Sequence, residues 1–157
     1  MTTSTKALLA STSVIVLTVI HHAYGAAIYA TPWRYHVAVI VVPVLLVLVL
    51  AHGLHRWHPS TSRGRAARWL FNVVTALVPV GAIGIFEGGY NHLVKNVLFF
   101  GGVPPATFER LFPPPVYEVP GDPLFEVTGV LQLALGLGAA VYLVRLIRGS
   151  RGWRRRP

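Results

Sequence analysis

Cysteine is absent from this chain of 157 residues. That removes disulfide frameworks, thiolate metal sites, disulfide redox chemistry and cysteine nucleophiles together. Sulfur is scarce altogether, because Met1 is the single methionine, and a soft Cu(I) site therefore lacks ligands. Charge is thin as well: 12% of residues are Asp, Glu, Lys or Arg, against about 25% in an ordinary soluble domain. So few polar groups cannot cover a soluble globule of this size, which excludes a soluble enzyme. Acidic residues are rarest. Glu87, Glu109, Glu118, Asp122 and Glu126 are the whole set, against fourteen Lys and Arg.

What fills the chain instead is long apolar sequence. Four runs, at about 7–29, 36–54, 66–86 and 124–147, each hold about the 20 residues that cross a hydrocarbon layer of roughly 30 Å as a helix. Backbone polar groups find no water inside lipid, so these runs must close their hydrogen bonds internally. The expected fold is an all-α integral membrane protein: one domain of four transmembrane helices, with a long ordered extracytoplasmic loop between helices 3 and 4. Pro43 and Pro79 fall inside the second and third runs, where kinks are expected. Gly81, Gly84, Gly129, Gly136 and Gly138 would let helices approach closely.

The distribution of basic residues gives an orientation. Eleven of them, including Lys6, Arg56, Arg63, Arg65, Arg68, Arg145 and the run 148–157, fall on one side; Arg34, Lys95 and Arg110 fall on the other. The positive-inside rule then places both termini in the cytoplasm, and a bacterial inner (plasma) membrane is the expected location. Clusters of basic residues beside apolar spans point to anionic lipid headgroups as partners rather than nucleic acid. A membrane-protein partner or a homo-oligomer is also compatible with the packing faces. If the first run were a cleaved signal peptide, with Lys6 at its start and Gly25-Ala26-Ala27 near the cut, three helices would remain in the same orientation. The pair His21-His22 and the length of the run favour retention.

Segment 87–123 is far longer than the usual helix connection, and loops of that length are functional or disordered. It carries seven of the twelve prolines, yet also Phe99, Phe100, Phe108, Leu111, Phe112 and Tyr117, which a solvated linker would avoid. An ordered cap over the outer helix ends is expected, with 91–100 either continuing the third helix or lying in the interface, and Gly101-Gly102 ending it.

Ionisable side chains at membrane depth are functional candidates by default. If the first helix starts near Ala7, His21 and His22 lie roughly 21 Å along it, below the outer headgroups. Thr18, His21, His22 and Gly25 share a face. The third run ends in Phe86-Glu87-Gly88-Gly89-Tyr90-Asn91-His92, and the fourth opens near Asp122 and Glu126, with Thr128 and Gln132 further down. In an unbroken α-helix Glu87 and His92 would point about 140° apart, so sharing a ligand requires the chain to depart from that geometry.

Imidazoles and carboxylates from three helices at one depth are the materials of a transition-metal site for Fe, Cu, Zn or Mn. The expected ligands are His21, His22, Glu87, His92 and Glu126, with His36, Glu118 and Asp122 as further candidates. Redox or oxygen chemistry on a lipophilic substrate, by a metal-dependent membrane oxidoreductase, suits that location. The alternatives are a small accessory subunit of a larger membrane complex whose histidines only bond across helices, an outer-side haem carrier through His22 with His36 or His92, and a metal transporter. The apolar inner halves of the helices count against the last. His52, His55 and His58 flank Trp57 at the inner surface, where interfacial solvation explains them.

Overall fold

A computed structural model describes residues 1–153, with side chains up to Gly149; the basic tail expected at 148–157 falls largely outside the described residues. The described chain is all-helical. Helix α1 spans Thr3–Ile28, a short 3₁₀ turn at Pro32–Tyr35 leads into α2 at His36–Trp57, and α3 covers Ser62–Thr75. Without a break α3 passes into a π-helix, Ala76–Val94, and then into α4, Lys95–Phe100. Helix α5, Pro105–Leu111, and the long α6, Pro123–Trp153, complete the order. Four rods are long and apolar enough to cross a membrane: Thr3–Ile28, Pro32–Trp57, Ser62–Phe100 and Pro123–Gly149.

Local chemistry sets the ends. Thr2 caps α1 by accepting from the Thr5 N–H, and Thr61 caps α3 by accepting from the Gly64 N–H, each satisfying an otherwise orphaned donor. Asp122 does the same for α6: its Oδ1 accepts from the Phe125 N–H at 2.8 Å, and Pro123 takes the first helical position, where a missing N–H costs nothing. The third rod runs on beyond Phe86 to Phe100 and stops at Gly101-Gly102, with Gly102 at φ +77°. Segment 91–100 thus continues the helix. The following α5 buries Phe108, and Phe112 just after it is also buried. Phe99, Phe108, Phe112, Tyr90 and Tyr117 form a run of ring contacts, which gives the proline-rich segment an apolar core of its own.

Helix α6 packs against the π-helix and α1, while α2 packs against α3 and α1. The lower half of the bundle is closed by Val14, Ile15, Leu48, Phe71, Ile83 and Ala139. It is not wholly apolar, since Ser11 and Thr75 are fully buried there and Ser11 donates to the Ala7 carbonyl. Glycine sets the closest crossing. A Cβ on Gly84 would stand 2.8 Å from the Gly136 Cα, and one on Gly136 would stand 2.5 Å from the Gly84 Cα. We therefore expect Gly136→Ala to destabilise the fold by about 1–3 kcal/mol through overpacking, measured by thermal unfolding in detergent; an unchanged midpoint would show that the crossing can open without loss.

Candidate metal centre

Three rods supply a polar cluster at the cap end of the bundle. From α1 come His21 and His22. His21 is fully buried and His22 partly so, its side chain 14% exposed. The π-helix supplies Glu87, Asn91 and His92, and α6 supplies Phe125, Glu126 and Thr128. The π geometry is what makes the arrangement work. Its hydrogen bonds run i→i+5, so residues five apart come to lie nearly one above the other, and Glu87 and His92 are five apart. Their side chains meet: His92 Nε2 stands 3.7 Å from Glu87 Oε1, and His22 Nε2 stands 3.5 Å from the same oxygen.

His21, Glu87 and His92 each offer a ligand atom, and these atoms all lie within 4.8 Å of one another. Each of the three is also held from behind. With the Thr128 hydroxyl donating to the Leu124 carbonyl at 2.7 Å, its oxygen accepts from His21 Nδ1, 2.9 Å away, in the tautomer that carries its proton there. That leaves His21 Nε2 as the nitrogen with a lone pair, and it is buried without a hydrogen-bond partner. His92 Nδ1 donates to Glu126 Oε2 at 2.9 Å, which directs its Nε2 toward Glu87. Glu87 Oε2 accepts from Asn91 Nδ2 at 2.6 Å, which directs Oε1 toward the histidines. Anchoring of the far atom by a hydroxyl, a carboxylate or an amide is the usual means of fixing a ligand's tautomer and aim.

Behind this trio lies a second charged tier. Lys95 is buried, with its Nζ 3.1 Å from Glu126 Oε1 and donating to the Glu118 carbonyl at 3.2 Å. Arg34, also buried, reaches Glu118 Oε1 at 3.5 Å and donates through Nε to Thr31 Oγ1 at 2.7 Å. Phe125 separates the two tiers. Its ring stacks on His21 at 4.2 Å between centroids, while the Arg34 guanidinium stands 5.4 Å from its centroid and the Lys95 ammonium 6.0 Å. Gly25 admits that ring, because a Cβ there would collide with it, and Gly129 admits the His92 ring in the same way. Just outside the spans, burial, with the carboxylates of Glu126, Asp122 and Glu118 nearby, pushes the Tyr29 phenol up.

The expected residues thus separate into distinct places. His21, Glu87 and His92 converge, and His22 borders them through Glu87. Glu126 stands on the opposite side of the His92 ring from the shared point and is engaged by His92 and Lys95. Asp122 caps α6 and accepts from the Tyr24 hydroxyl at 3.1 Å; Glu118 pairs with Arg34. His36 is exposed and bonded to the Trp33 carbonyl. Three residues that matter were not singled out by sequence as parts of a site: Phe125, Lys95 and Arg34. Phe125 reads as one more apolar residue, whereas a cation in a largely apolar stretch, as Lys95 is between Leu93-Val94 and Val97-Leu98, was a signal that a buried partner must exist.

The donor set is two imidazole nitrogens and one carboxylate oxygen, with a third imidazole adjacent. Three ligands about 2.1 Å from an ion such as Zn²⁺ stand roughly 3.4–3.6 Å apart; His92 Nε2 and Glu87 Oε1, at 3.7 Å, already have that spacing, and binding would draw His21 in toward them. The His21 and His92 rings meet edge to face with centroids 4.6 Å apart, which leaves no gap for a porphyrin between them. The chain matches no protein-family model, and neither the curated proteins nor the solved structures include one similar to it.

Proposed function

We propose that this protein is an integral membrane metalloprotein. His21 Nε2, His92 Nε2 and Glu87 bind one divalent transition-metal ion, with His22 as a fourth donor. The observation that carries this reading is the set of anchors on Thr128, Glu126 and Asn91, which aim three ligand atoms at one point and leave the buried His21 Nε2 with nothing else to bond. A buried unsatisfied polar group costs about 1–3 kcal/mol, and binding of an ion would recover that cost at His21 Nε2.

Two imidazoles and one carboxylate suit Fe(II), and such a set leaves coordination positions open for oxygen or redox chemistry. With no thiol and one methionine, Cu(I) has no ligands here. On this reading both termini face the cytoplasm, the metal lies near the opposite surface, and Arg56, Arg63, Arg65 and Arg148 meet anionic headgroups. The membrane is the source of a lipophilic substrate.

Elemental analysis of the purified full-length protein tests the centre. About one equivalent of Fe, Mn, Zn or Cu is expected in the native chain, falling below about a tenth of that in His21→Ala, since structural and catalytic sites tolerate no loss of a primary ligand. Metal-free native protein after growth and purification with each ion supplied would overturn the proposal and favour the role of an accessory subunit.

A further inference from the structure

Beside the metal centre, between α4 and α6, lies a groove of about 670 Å³, within the roughly 300–1,000 Å³ of small-molecule sites. Along α6 it is lined by Pro123, Val127, Val130, Leu131 and Ala134, with Phe100 opposite. These α6 positions recur at three- and four-residue steps and so share one face. The eleven steps from Pro123 to Ala134 give a trough about 16 Å long, close to half of the roughly 30 Å hydrocarbon thickness. One extended hydrocarbon chain within a single leaflet fits that length.

Polarity is confined to the cap end. Asn96, Asp122 and Glu126 line the groove there, and the groove lining includes no Lys or Arg. Both carboxylates already receive donors, Asp122 from Tyr24 and the Phe125 N–H, Glu126 from His92 and Lys95. Each carboxylate has about four lone-pair sites, so capacity remains for one more donor. A hydroxyl meets this end well: it donates to a carboxylate and accepts from the Asn96 amide. A fatty-acid carboxylate or a phosphate head would bring like charge against Asp122 and against Glu126, whose own charge is already shared with Lys95, an arrangement that favours a neutral head.

We propose that the groove seats a single-chain lipophilic alcohol, its hydroxyl at Asn96, Asp122 and Glu126 and its chain along α6. Glu126 belongs to both places, because the carboxylate that meets the hydroxyl also holds His92. The inference rests on the metal-centre reading only in making this alcohol the lipid-soluble substrate; the binding itself is independent of the ion.

Photolabelling of the full-length protein in phosphatidylcholine nanodiscs tests it, with diazirine-bearing hexadecanol as the probe and unlabelled hexadecanol, palmitate and hexadecyl phosphate as competitors. The label should fall on residues 123–134. Hexadecanol should displace it at a concentration at least about tenfold lower than either anion, given the like-charge penalty. Val130→Trp and Ala134→Trp, which fill the trough from a lipid-facing surface, should each cut labelling about tenfold. Equal competition by palmitate, or labelling unchanged in both variants, would show partition into bulk lipid and overturn the proposal. Metal analysis of the same samples keeps the two readings apart: specific labelling of a metal-free protein upholds the groove and overturns the centre.

Discussion

Glu126→Ala is expected to cost the fold about 3–5 kcal/mol, the loss seen when one partner of a buried ion pair is removed and the other charge stays behind. The reason is Lys95. Its side chain is almost entirely buried, and its hydrogen-bond partners among the described residues are Glu126 Oε1 and the Glu118 carbonyl. Removing the carboxylate leaves a cation facing one neutral acceptor beside the Phe125 ring, and it also frees the His92 imidazole to rotate. The effect should therefore be double: a lower unfolding midpoint in detergent, and metal affinity weaker by about 10–100-fold, as for lost partners behind other metal-bound histidines. The combined variant Lys95→Met with Glu126→Leu separates the two. Replacing the pair by apolar side chains of similar volume should restore most of the stability, whereas the metal affinity should stay low because His92 remains unanchored. A loss below about 1 kcal/mol in Glu126→Ala would mean that Lys95 escapes to water, as exposed pairs allow, and that the second charged tier is no part of the site's support.

How far the sequence carried is best seen residue by residue. Four apolar runs separated by proline, tryptophan and arginine were readable as four helices because period and length suffice for that decision. The shared depth of His21, His22, Glu87 and Glu126 was readable too, from rise per residue alone. The relation between Glu87 and His92 was not. Apolar periodicity in Ala76–Val94 does not distinguish α from π winding, and only the latter puts residues five apart on one face. Gly88 and Gly89 offered a hint of irregularity, but Gly88 serves close packing instead: a Cβ there would meet the Leu133 backbone of α6. Likewise the roles of Glu126 and Thr128 follow from which nitrogen of each histidine they touch, and no spacing rule reports that. His36 was misleading for the opposite reason. It stands at the cap end of the bundle like the others, but at the first residue of α2, the one long rod that adds nothing to the cluster.

Order within the bundle follows a division of labour along its axis. Branched aliphatic side chains close one half, and their packing fixes how α1, the π-helix and α6 emerge into the other. There the same three elements hold imidazoles and carboxylates whose burial is tolerated because each is hydrogen-bonded or charge-paired. The exceptions there include His21 Nε2, His22 Nδ1 and Asn91 Oδ1, each buried without a hydrogen-bond partner. Of these, His21 belongs to the trio whose ligand atoms lie within 4.8 Å of one another, where an ion would meet the unmet capacity.

The last expectation joins packing to chemistry without touching a ligand. Gly129 lies on α6 directly under the His92 ring, and a Cβ built there would overlap the ring atoms. In Gly129→Ala every proposed donor is still present, yet the His92 imidazole must leave its place between Glu126 and Glu87. Displacements of this size are enough to spoil coordination, because ligands must be held within about 0.5 Å of their productive geometry. Metal content should fall to the level of His92→Ala, a loss of about 100-fold or more in affinity if the ligand is effectively removed. Destabilisation alone cannot imitate this. Gly136→Ala makes the same chemical change two helical turns further along α6, against backbone rather than a histidine, and should lower stability comparably while retaining its metal. Should Gly129→Ala bind metal as well as the native chain, His92 would be free to coordinate from another rotamer, and the aim imposed by Glu126 would be irrelevant to the centre. Should Gly136→Ala lose its metal too, the site would depend on the spacing of the whole bundle rather than on the space left for one ring.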